Sequence, residues 1–145
     1  MNVDLKYGKK GLTVKFPENN VTVIEPEFVA GLADERTAFF EALSHPIGSK
    51  PLKDLIKPED TIAVVFSDLT RPVPNTRIIP WLLEELAGHP KEKITLINAT
   101  GMHRINTEAE LSSMLTEHVV KQYRIVNHVA TDKDTLSYLG KNSFG

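Results

Sequence analysis

Cysteine is absent from the 145-residue chain, which excludes disulfides, thiolate metal sites and a cysteine nucleophile. Long apolar runs are also absent, and the longest, residues 62–66, is far shorter than the roughly 20 residues that span a membrane. The first ten residues lack the apolar core of a signal peptide, and no basic stripe suggests a nucleic-acid partner. These absences predict a cytoplasmic protein that binds neither membrane nor nucleic acid.

Glycine-rich nucleotide fingerprints are missing as well. Neither Gly-x-Gly-x-x-Gly nor the P-loop pattern occurs. The five histidines show no metal-ligand spacing, so no metal-binding residue is predicted in this chain.

The composition is that of an ordinary globular protein, with 41% hydrophobic residues, 25% charged residues and a net charge of -2. The length predicts one domain, residues 1–145, with enough chain to bury a core. Alternating apolar residues at 3–7 and 12–16, around a glycine turn, predict an N-terminal β-hairpin region, and residues 21–24 are a further strand candidate.

From residue 34 the spacing of the apolar residues changes, and the alternation of helix and strand patterns that follows predicts an α/β fold. Helices are expected at residues 34–45 and 50–56 and, beyond them, at 81–88, with Pro80 near its first turn. Thr107 and Glu110 form a capping box that opens another helix, and His118 is expected at that helix's end. Apolar runs predict parallel strands at residues 61–67, 93–99 and 123–130, with a possible fourth at 136–139. This alternation predicts right-handed βαβ units in an open, mainly parallel, Rossmann-like sheet with flanking helices.

Polar residues follow two of these strands. Asp68, Thr70 and Arg71 come after the first, and Thr100 and His103 come after the second. Because ligands bind outside the carboxyl ends of strands in open parallel sheets, neighbouring strands would place these residues at one crevice.

Each residue also has a structural interpretation. Asp68 could cap a turn, Pro72 and Pro74 could stiffen a loop, and Arg71 and His103 could be surface residues. Gly101 would let the backbone bend and direct His103 across the crevice. The pairing of the two loops favours a site. Thr131 and Asp132, which follow the third strand, are weaker candidates for the same crevice.

The stretches SDLTRPVPN (residues 67–75) and ATGMHR (99–104) together resemble the lactate racemase family, the nickel-pincer-dependent racemases and epimerases of 2-hydroxy acids. The stretches HPIGS (45–49) and HVATDKD (128–134) are similar to the same family's N-terminal region. The resemblance covers most of the chain.

This resemblance implies a nickel-pincer nucleotide cofactor, a pyridinium mononucleotide whose two thiocarboxyl-derived sulfurs and ring carbon hold Ni(II). It implies that Asp68, Leu69, Thr70 and Arg71 contact the cofactor, and that His103 is one of two acid/base histidines. The second histidine, the anchoring lysine and the nickel-binding histidine belong to a downstream region in the family.

Two main functions follow as hypotheses, and a third, weaker one is a nucleotide-binding domain of an unrelated enzyme class. In the first, the chain is the N-terminal catalytic portion of a 2-hydroxy-acid racemase, truncated from a longer protein whose missing C-terminal part anchors the cofactor. The substrate's hydroxyl proton is abstracted, and its Cα hydride passes to the cofactor and back. In the alternative, the chain is a non-catalytic α/β module that binds a phosphate-bearing or organic-acid ligand.

Overall fold

The structure is a computed structural model that describes residues 1–143. The chain divides into two compact units, Met1–Leu32 and the part from Ala33 onward. The single domain expected over residues 1–145 stays a prediction. No helix in the described part is both long and apolar enough to cross a membrane.

The first unit contains the predicted hairpin. Strands β1 (Asn2–Leu5) and β2 (Leu12–Lys15) pair antiparallel, with Val3 opposite Val14. The strand predicted at residues 21–24 does not form. Ile24 is 90% exposed there. Alternation alone predicted this strand, but a strand also needs a hydrogen-bonded neighbour, and this segment has none among the described residues.

The second unit alternates helices and strands, as predicted. The helices are α1 (Glu35–Ser44), α2 (Leu52–Leu55), α3 (Asn75–Glu85), α4 (Glu108–Leu115) and α5 (Glu117–Gln122). The strands are β3 (Ile62–Ser67), β4 (Ile94–Ala99) and β5 (Arg124–Asn127). Short 3₁₀ turns lie at Lys91–Lys93 and Lys133–Thr135.

The three strands form one parallel sheet in the order β3-β4-β5, which confirms the α/β fold class. Ser67 lies opposite Ala99 and Asn98 lies opposite Asn127, so the carboxyl ends of the strands share one edge. The core lies on one face of this sheet, where α3, α4 and α5 pack on it. Its buried members are Val64, Phe66, Ile79, Leu83, Leu86, Ile94, Leu96, Leu111, Leu115 and Val119.

Three local expectations were wrong. Helix α3 begins at Asn75, so Pro80 lies inside the helix and not at its first turn. Proline removes one backbone donor there, but Ile79 and Leu83, one turn apart, are both buried and hold the helix on the sheet. Residues Glu117–Gln122 form the separate helix α5, so His118 lies near the start of a helix and not at the end of α4. Residues 136–139 are not a strand.

Candidate active site

The loop after β3 is built around the Asp68 carboxylate. Its Oδ1 accepts hydrogen bonds from the backbone N–H of Thr70, at 3.3 Å, and from the Thr70 hydroxyl, at 2.7 Å. The backbone N–H of Arg71 closes the turn by donating to the Asp68 carbonyl at 3.2 Å. Asp68 is buried. These hydrogen bonds fix it within its own loop, as expected of an aspartate in a tight turn.

The loop continues in two consecutive tight turns, which contain Pro72 and Pro74. The N–H of Val73 donates to the Arg71 carbonyl, and the N–H of Asn75 donates to the Val73 carbonyl, each at 2.8 Å. Pro74, at the centre of the second turn, has φ -76° and ψ 57°, which is the inverse γ-turn conformation. The backbone behind Asp68 is thus held by the rings of Pro72 and Pro74.

Asn75 fastens the end of this loop to the strand that precedes it. It is buried at the first position of α3, and its side-chain amide donates to the Ser67 carbonyl at 2.9 Å. Asn75 was not among the predicted site residues, although an asparagine directly after Pro-Val-Pro is a turn signal.

The loop after β4 bends at Gly101, as the sequence predicted. Gly101 has φ +57°, a conformation that glycine adopts without strain. The N–H of His103 donates to the Thr100 carbonyl at 2.9 Å and completes the turn. Thr100 itself is buried, and its hydroxyl donates to the His128 carbonyl instead of facing the crevice.

The two loops meet in a direct contact between side chains. Nδ1 of His103 lies 2.7 Å from Oδ2 of Asp68, across 35 positions of sequence. The Asp68 side chain is 4% exposed and the His103 side chain is 48% exposed. A buried carboxylate therefore supports an imidazole whose other edge is open to solvent.

The ionisation of Asp68 determines which nitrogen of His103 carries a proton. The Thr70 hydroxyl and then His103 lower the pKa of the Asp68 carboxyl below its ordinary value, although burial acts in the opposite direction. An ionised carboxylate only accepts hydrogen bonds, so the facing Nδ1 must donate one. When the ring is neutral, Nε2 is left as the basic nitrogen.

A largely buried asparagine network, which was not predicted, lies beneath the second loop. Asn98 donates through Nδ2 to the side-chain oxygens of Asn106 and Asn127, each at 2.8 Å. Asn127 also accepts from the Asn106 N–H and donates to the Asn106 carbonyl. The network ties the loop to β4 and β5, and the available signal was an asparagine inside each of two apolar strands.

Arg104 connects the same loop to α4. Its guanidinium makes a two-pronged contact with Glu110, with Nη2 to Oε1 at 2.7 Å and Nη1 to Oε2 at 2.9 Å. Arg104 and then the Thr107 N–H lower the pKa of Glu110 to about 2. The capping box of Thr107 and Glu110 is present as predicted, but the sequence did not reveal Arg104 as its third member.

A cleft of about 330 Å³ adjoins the first loop. It is lined by Asp68, Leu69, Arg71, Val73, Asn75, Thr76, Ser113 and Met114. Leu69 is 45% exposed. The Arg71 side chain is exposed and has no hydrogen-bond or ion-pair partner among residues 1–143. The cleft therefore offers a free cation beside two hydroxyl-bearing residues, Thr76 and Ser113.

The structure brings Asp68, Leu69, Thr70, Arg71 and His103 to one edge of the sheet. The weaker candidates are not engaged there: Thr131 is exposed, and Asp132 accepts from the N–H of Asp134 in a local turn. In the described part of the chain, no cluster of three His, Asp or Glu side chains could hold a metal ion.

Residues 7–145 match the family model described as lactate racemase N-terminal domain. The chain belongs to this family. It is 33% identical over 143 residues to the lactate racemase of Lactiplantibacillus plantarum, and 29% identical over 144 residues to that of Thermoanaerobacterium thermosaccharolyticum. Each alignment covers 96% of this chain and 34% of the relative.

A solved structure of the lactate racemase apoprotein from Thermoanaerobacterium thermosaccharolyticum has the same fold, with a TM-score of 0.79 and 29% identity. The match covers all of this chain and 34% of that one. As a lactate racemase N-terminal domain, the chain spans about a third of the length of the curated relatives it matches.

Proposed function

We propose that this chain is the N-terminal catalytic portion of a lactate-racemase-type isomerase that inverts the configuration of a 2-hydroxy acid. The observation that carries the proposal is the contact between buried Asp68 and half-exposed His103 at the carboxyl edge of the sheet. Family membership supplies the reaction class, and this contact supplies a group suited to proton transfer.

His103 is the acid/base residue in this proposal. Its Nδ1 is engaged with Asp68, so Nε2 takes the proton from the substrate's hydroxyl and later returns it. Imidazole suits this role because its ordinary pKa lies near neutral pH. Asp68 acts through His103 as a positioning residue, since its carboxylate fixes the ring and stabilises the imidazolium that forms.

The free guanidinium of Arg71 at the first loop is suited to the phosphate group of the expected cofactor. Arg71 has an unpaired guanidinium beside Thr76 and Ser113, a combination suited to a phosphate or a carboxylate. We therefore propose that Arg71 binds the cofactor's phosphate or the substrate's carboxylate. The exposed side chain of Leu69 is proposed to contact an apolar part of the cofactor. Asp68 and Thr70 are also proposed cofactor contacts, although their side chains bond to each other.

The nickel-pincer nucleotide, when bound, supplies a hydride acceptor for the substrate's Cα. Its nickel ligand and covalent anchor are proposed to lie in the C-terminal part of the protein. Lactate, or a closely related hydroxy acid, is the proposed substrate, and a cytoplasmic location stays a prediction.

The test uses a chimera in which this chain replaces the matched third of the Lactiplantibacillus plantarum racemase. The cofactor-loaded chimera is assayed for interconversion of D- and L-lactate, and its nickel content is measured. We expect His103→Ala to reduce the rate by about 10²–10⁴-fold, the usual contribution of a general acid or base, without loss of nickel.

One further variant, one control variant and the isolated chain define the roles. Asp68→Asn should lower the rate and change its pH profile, because the amide does not stabilise the imidazolium. His118→Ala, at an exposed position of α5, should leave the rate unchanged. The 145-residue chain alone should be inactive. A loaded His103→Ala chimera with near-normal turnover contradicts the proposal, and a wild-type chimera that binds lactate without turning it over supports the non-catalytic binding module.

A further inference from the structure

The loop that carries His103 is tied to the sheet at both ends and is exposed between them. Thr100, at its start, is buried and donates through its hydroxyl to the His128 carbonyl. Asn106, at its end, is 3% exposed and hydrogen-bonds to side chains of β4 and β5. Residues 101–105, which lie between these ends, are all exposed. Apart from its contact with the first loop, the imidazole is therefore held in place by the ends of its own loop.

Asn127 holds the end of this loop through a two-way contact with the backbone of Asn106. Its Oδ1 accepts from the Asn106 N–H at 3.2 Å, and its Nδ2 donates to the Asn106 carbonyl at 3.1 Å. A side-chain amide offers a donor and an acceptor side by side, which neither a carboxylate nor an aliphatic side chain does. Asn127 therefore fixes the Asn106 backbone in the way that a neighbouring strand would.

These contacts also determine the orientation of the Asn98 amide. The Asn127 atom that faces the Asn106 N–H must be its oxygen, so the Asn98 atom that lies 2.8 Å from this oxygen must be Nδ2. The same Nδ2 donates to Oδ1 of Asn106, also at 2.8 Å. Oδ1 of Asn98 is then left buried, with no hydrogen-bond partner among residues 1–143.

The stability of the fold does not explain an asparagine at position 98. Ile94, Leu96 and Asn98 lie on the core face of β4, and each is at most 1% exposed. An apolar residue would fill this position without leaving a buried acceptor unpaired, which lowers stability. Residues that break the pattern of a core are expected where function requires them. Asn98 therefore indicates a function of the loop that it holds.

The same hydrogen bonds extend to the residue next to His103. Asn106 donates through Nδ2 to Oε2 of Glu110 at 3.3 Å, and Glu110 holds the Arg104 guanidinium. The network therefore runs without a break from β4 to Arg104. Asp68 is fixed separately by its own loop, so a shift of the second loop would disrupt the 2.7 Å contact between Asp68 and His103.

We propose that Asn98, Asn106 and Asn127 are positioning residues, which hold His103 against Asp68 and thereby set the tautomer of its ring. With the end of the loop fixed, Nδ1 keeps the proton and Nε2 stays free to accept the proton of the substrate's hydroxyl. The three asparagines act through His103 and not by contact with the substrate. The catalytic meaning of this role rests on the proposed function, but the tautomer can be measured without turnover.

The tautomer of His103 is measured in the 145-residue chain by NMR of the ring nitrogens, at a pH where the ring is neutral. We expect the form with the proton on Nδ1 to predominate in the wild type. Asn127→Leu removes both contacts with the Asn106 backbone and keeps a side chain of similar size, and Asn98→Leu removes the hydrogen bonds from β4. Each variant should shift the ring towards the tautomer ratio of Asp68→Ala, in which the imidazole has lost its partner.

Leu83→Ala is the control for lost stability alone, because Leu83 belongs to the core cluster and lies on α3. It should lower the melting temperature and leave the tautomer unchanged. A wild-type ring that is not mainly protonated on Nδ1 overturns the proposal, as does an unchanged tautomer in both leucine variants or an equal shift in Leu83→Ala. If a leucine variant lacks a cooperative thermal transition, Asn127→Ser replaces it with the same expectation.

Turnover in the chimera tests whether this positioning matters for catalysis. Asn127→Leu should lower kcat by about 10-fold or more with little change in KM, since a misplacement of about 1 Å can cost about 10²-fold in rate. In the His103→Ala background it should cause no further loss, because its effect passes through His103. An equal loss in the two backgrounds overturns the proposal. A wild-type chimera without turnover contradicts the proposed function, and the NMR result then decides the positioning role by itself.

Discussion

At the scale of single residues, some polar side chains of the candidate site already have hydrogen-bond partners within the protein, and others have none. Both oxygens of Asp68 have partners, Thr70 on one side and His103 on the other. Arg71, three residues further on, has no side-chain partner among the described residues. Arg71 can therefore contact an anionic ligand without giving up an existing hydrogen bond, whereas Asp68 cannot.

Replacing Arg71 with alanine should weaken ligand binding without harming the fold. Loss of one charge-assisted hydrogen bond costs roughly 1.5–3 kcal/mol, or about 10- to 140-fold in affinity. The measurement is the KM for lactate and the retention of cofactor in the chimera, together with its melting temperature. Arg124→Ala, which removes an exposed arginine at the start of β5, is the control for charge alone. Unchanged binding, or a collapse of the melting temperature, would rule out this role.

At the scale of elements, the two faces of the sheet differ, and only one of them carries the buried hydrophobic core. Leu96 and Val65 lie in adjacent strands, but Leu96 is within the core and Val65 is open to solvent. The same apolar residue types therefore form the core on one side of the sheet and are exposed to solvent on the other.

Leu96→Ala should lower the free energy of unfolding of the chain by roughly 2–5 kcal/mol, because it leaves a cavity in a closely packed core. Val65→Thr, which keeps a β-branched side chain on the exposed side of the sheet, should change it by less than about 0.5 kcal/mol. Urea denaturation followed by circular dichroism measures both values. Similar losses for the two variants would show that the side of the sheet that carries Val65 is also packed in this chain.

Elements were predictable from sequence where their signals are local. The capping box of Thr107 and Glu110 fixes the start of α4 through two hydrogen bonds within four residues, and it was found correctly. The start of α3 was predicted wrongly, because a proline usually marks the first turn of a helix. Here the helix continues on both sides of Pro80, because the buried side chains of Ile79 and Leu83 hold it on the sheet. Residues 21–24 had the pattern of a strand but lack a neighbour, and pairing is not a local property.

At the scale of the whole molecule, the candidate site was predictable because topology brings strand ends together. Adjacent parallel strands place Asp68 and His103 at one edge, whichever loop conformations follow. The asparagine network was not predictable in this way, because its three members meet only through the register of β4 with β5 and the path of one loop. A single sequence specifies which residues can do chemistry better than it specifies which residues support them.

Stability of the whole molecule should fall as the pH is lowered, because several carboxyls have lowered pKa values. Arg104 and then the Thr107 N–H lower the pKa of Glu110 to about 2 from its ordinary value of 4.5. The Thr37 N–H acts on Asp34, and the Thr70 hydroxyl acts on Asp68, in the same direction. A depressed pKa means that the unfolded state binds more protons, so this stabilisation is present above pH 4.5 and is lost as the pH falls towards 2.

Glu110→Gln should isolate this effect, because glutamine can keep the capping hydrogen bond but loses the charge that faces Arg104. We expect the variant to melt at a lower temperature than the wild type at neutral pH. The difference should shrink between pH 4.5 and 2, where wild-type Glu110 becomes protonated. Thermal unfolding at a series of pH values measures it. Glu59→Gln, at an exposed position, should follow the wild type throughout. A Glu110→Gln deficit that stays constant down to pH 2 would mean that packing, and not the ionised carboxylate, connects α4 to the loop that carries His103.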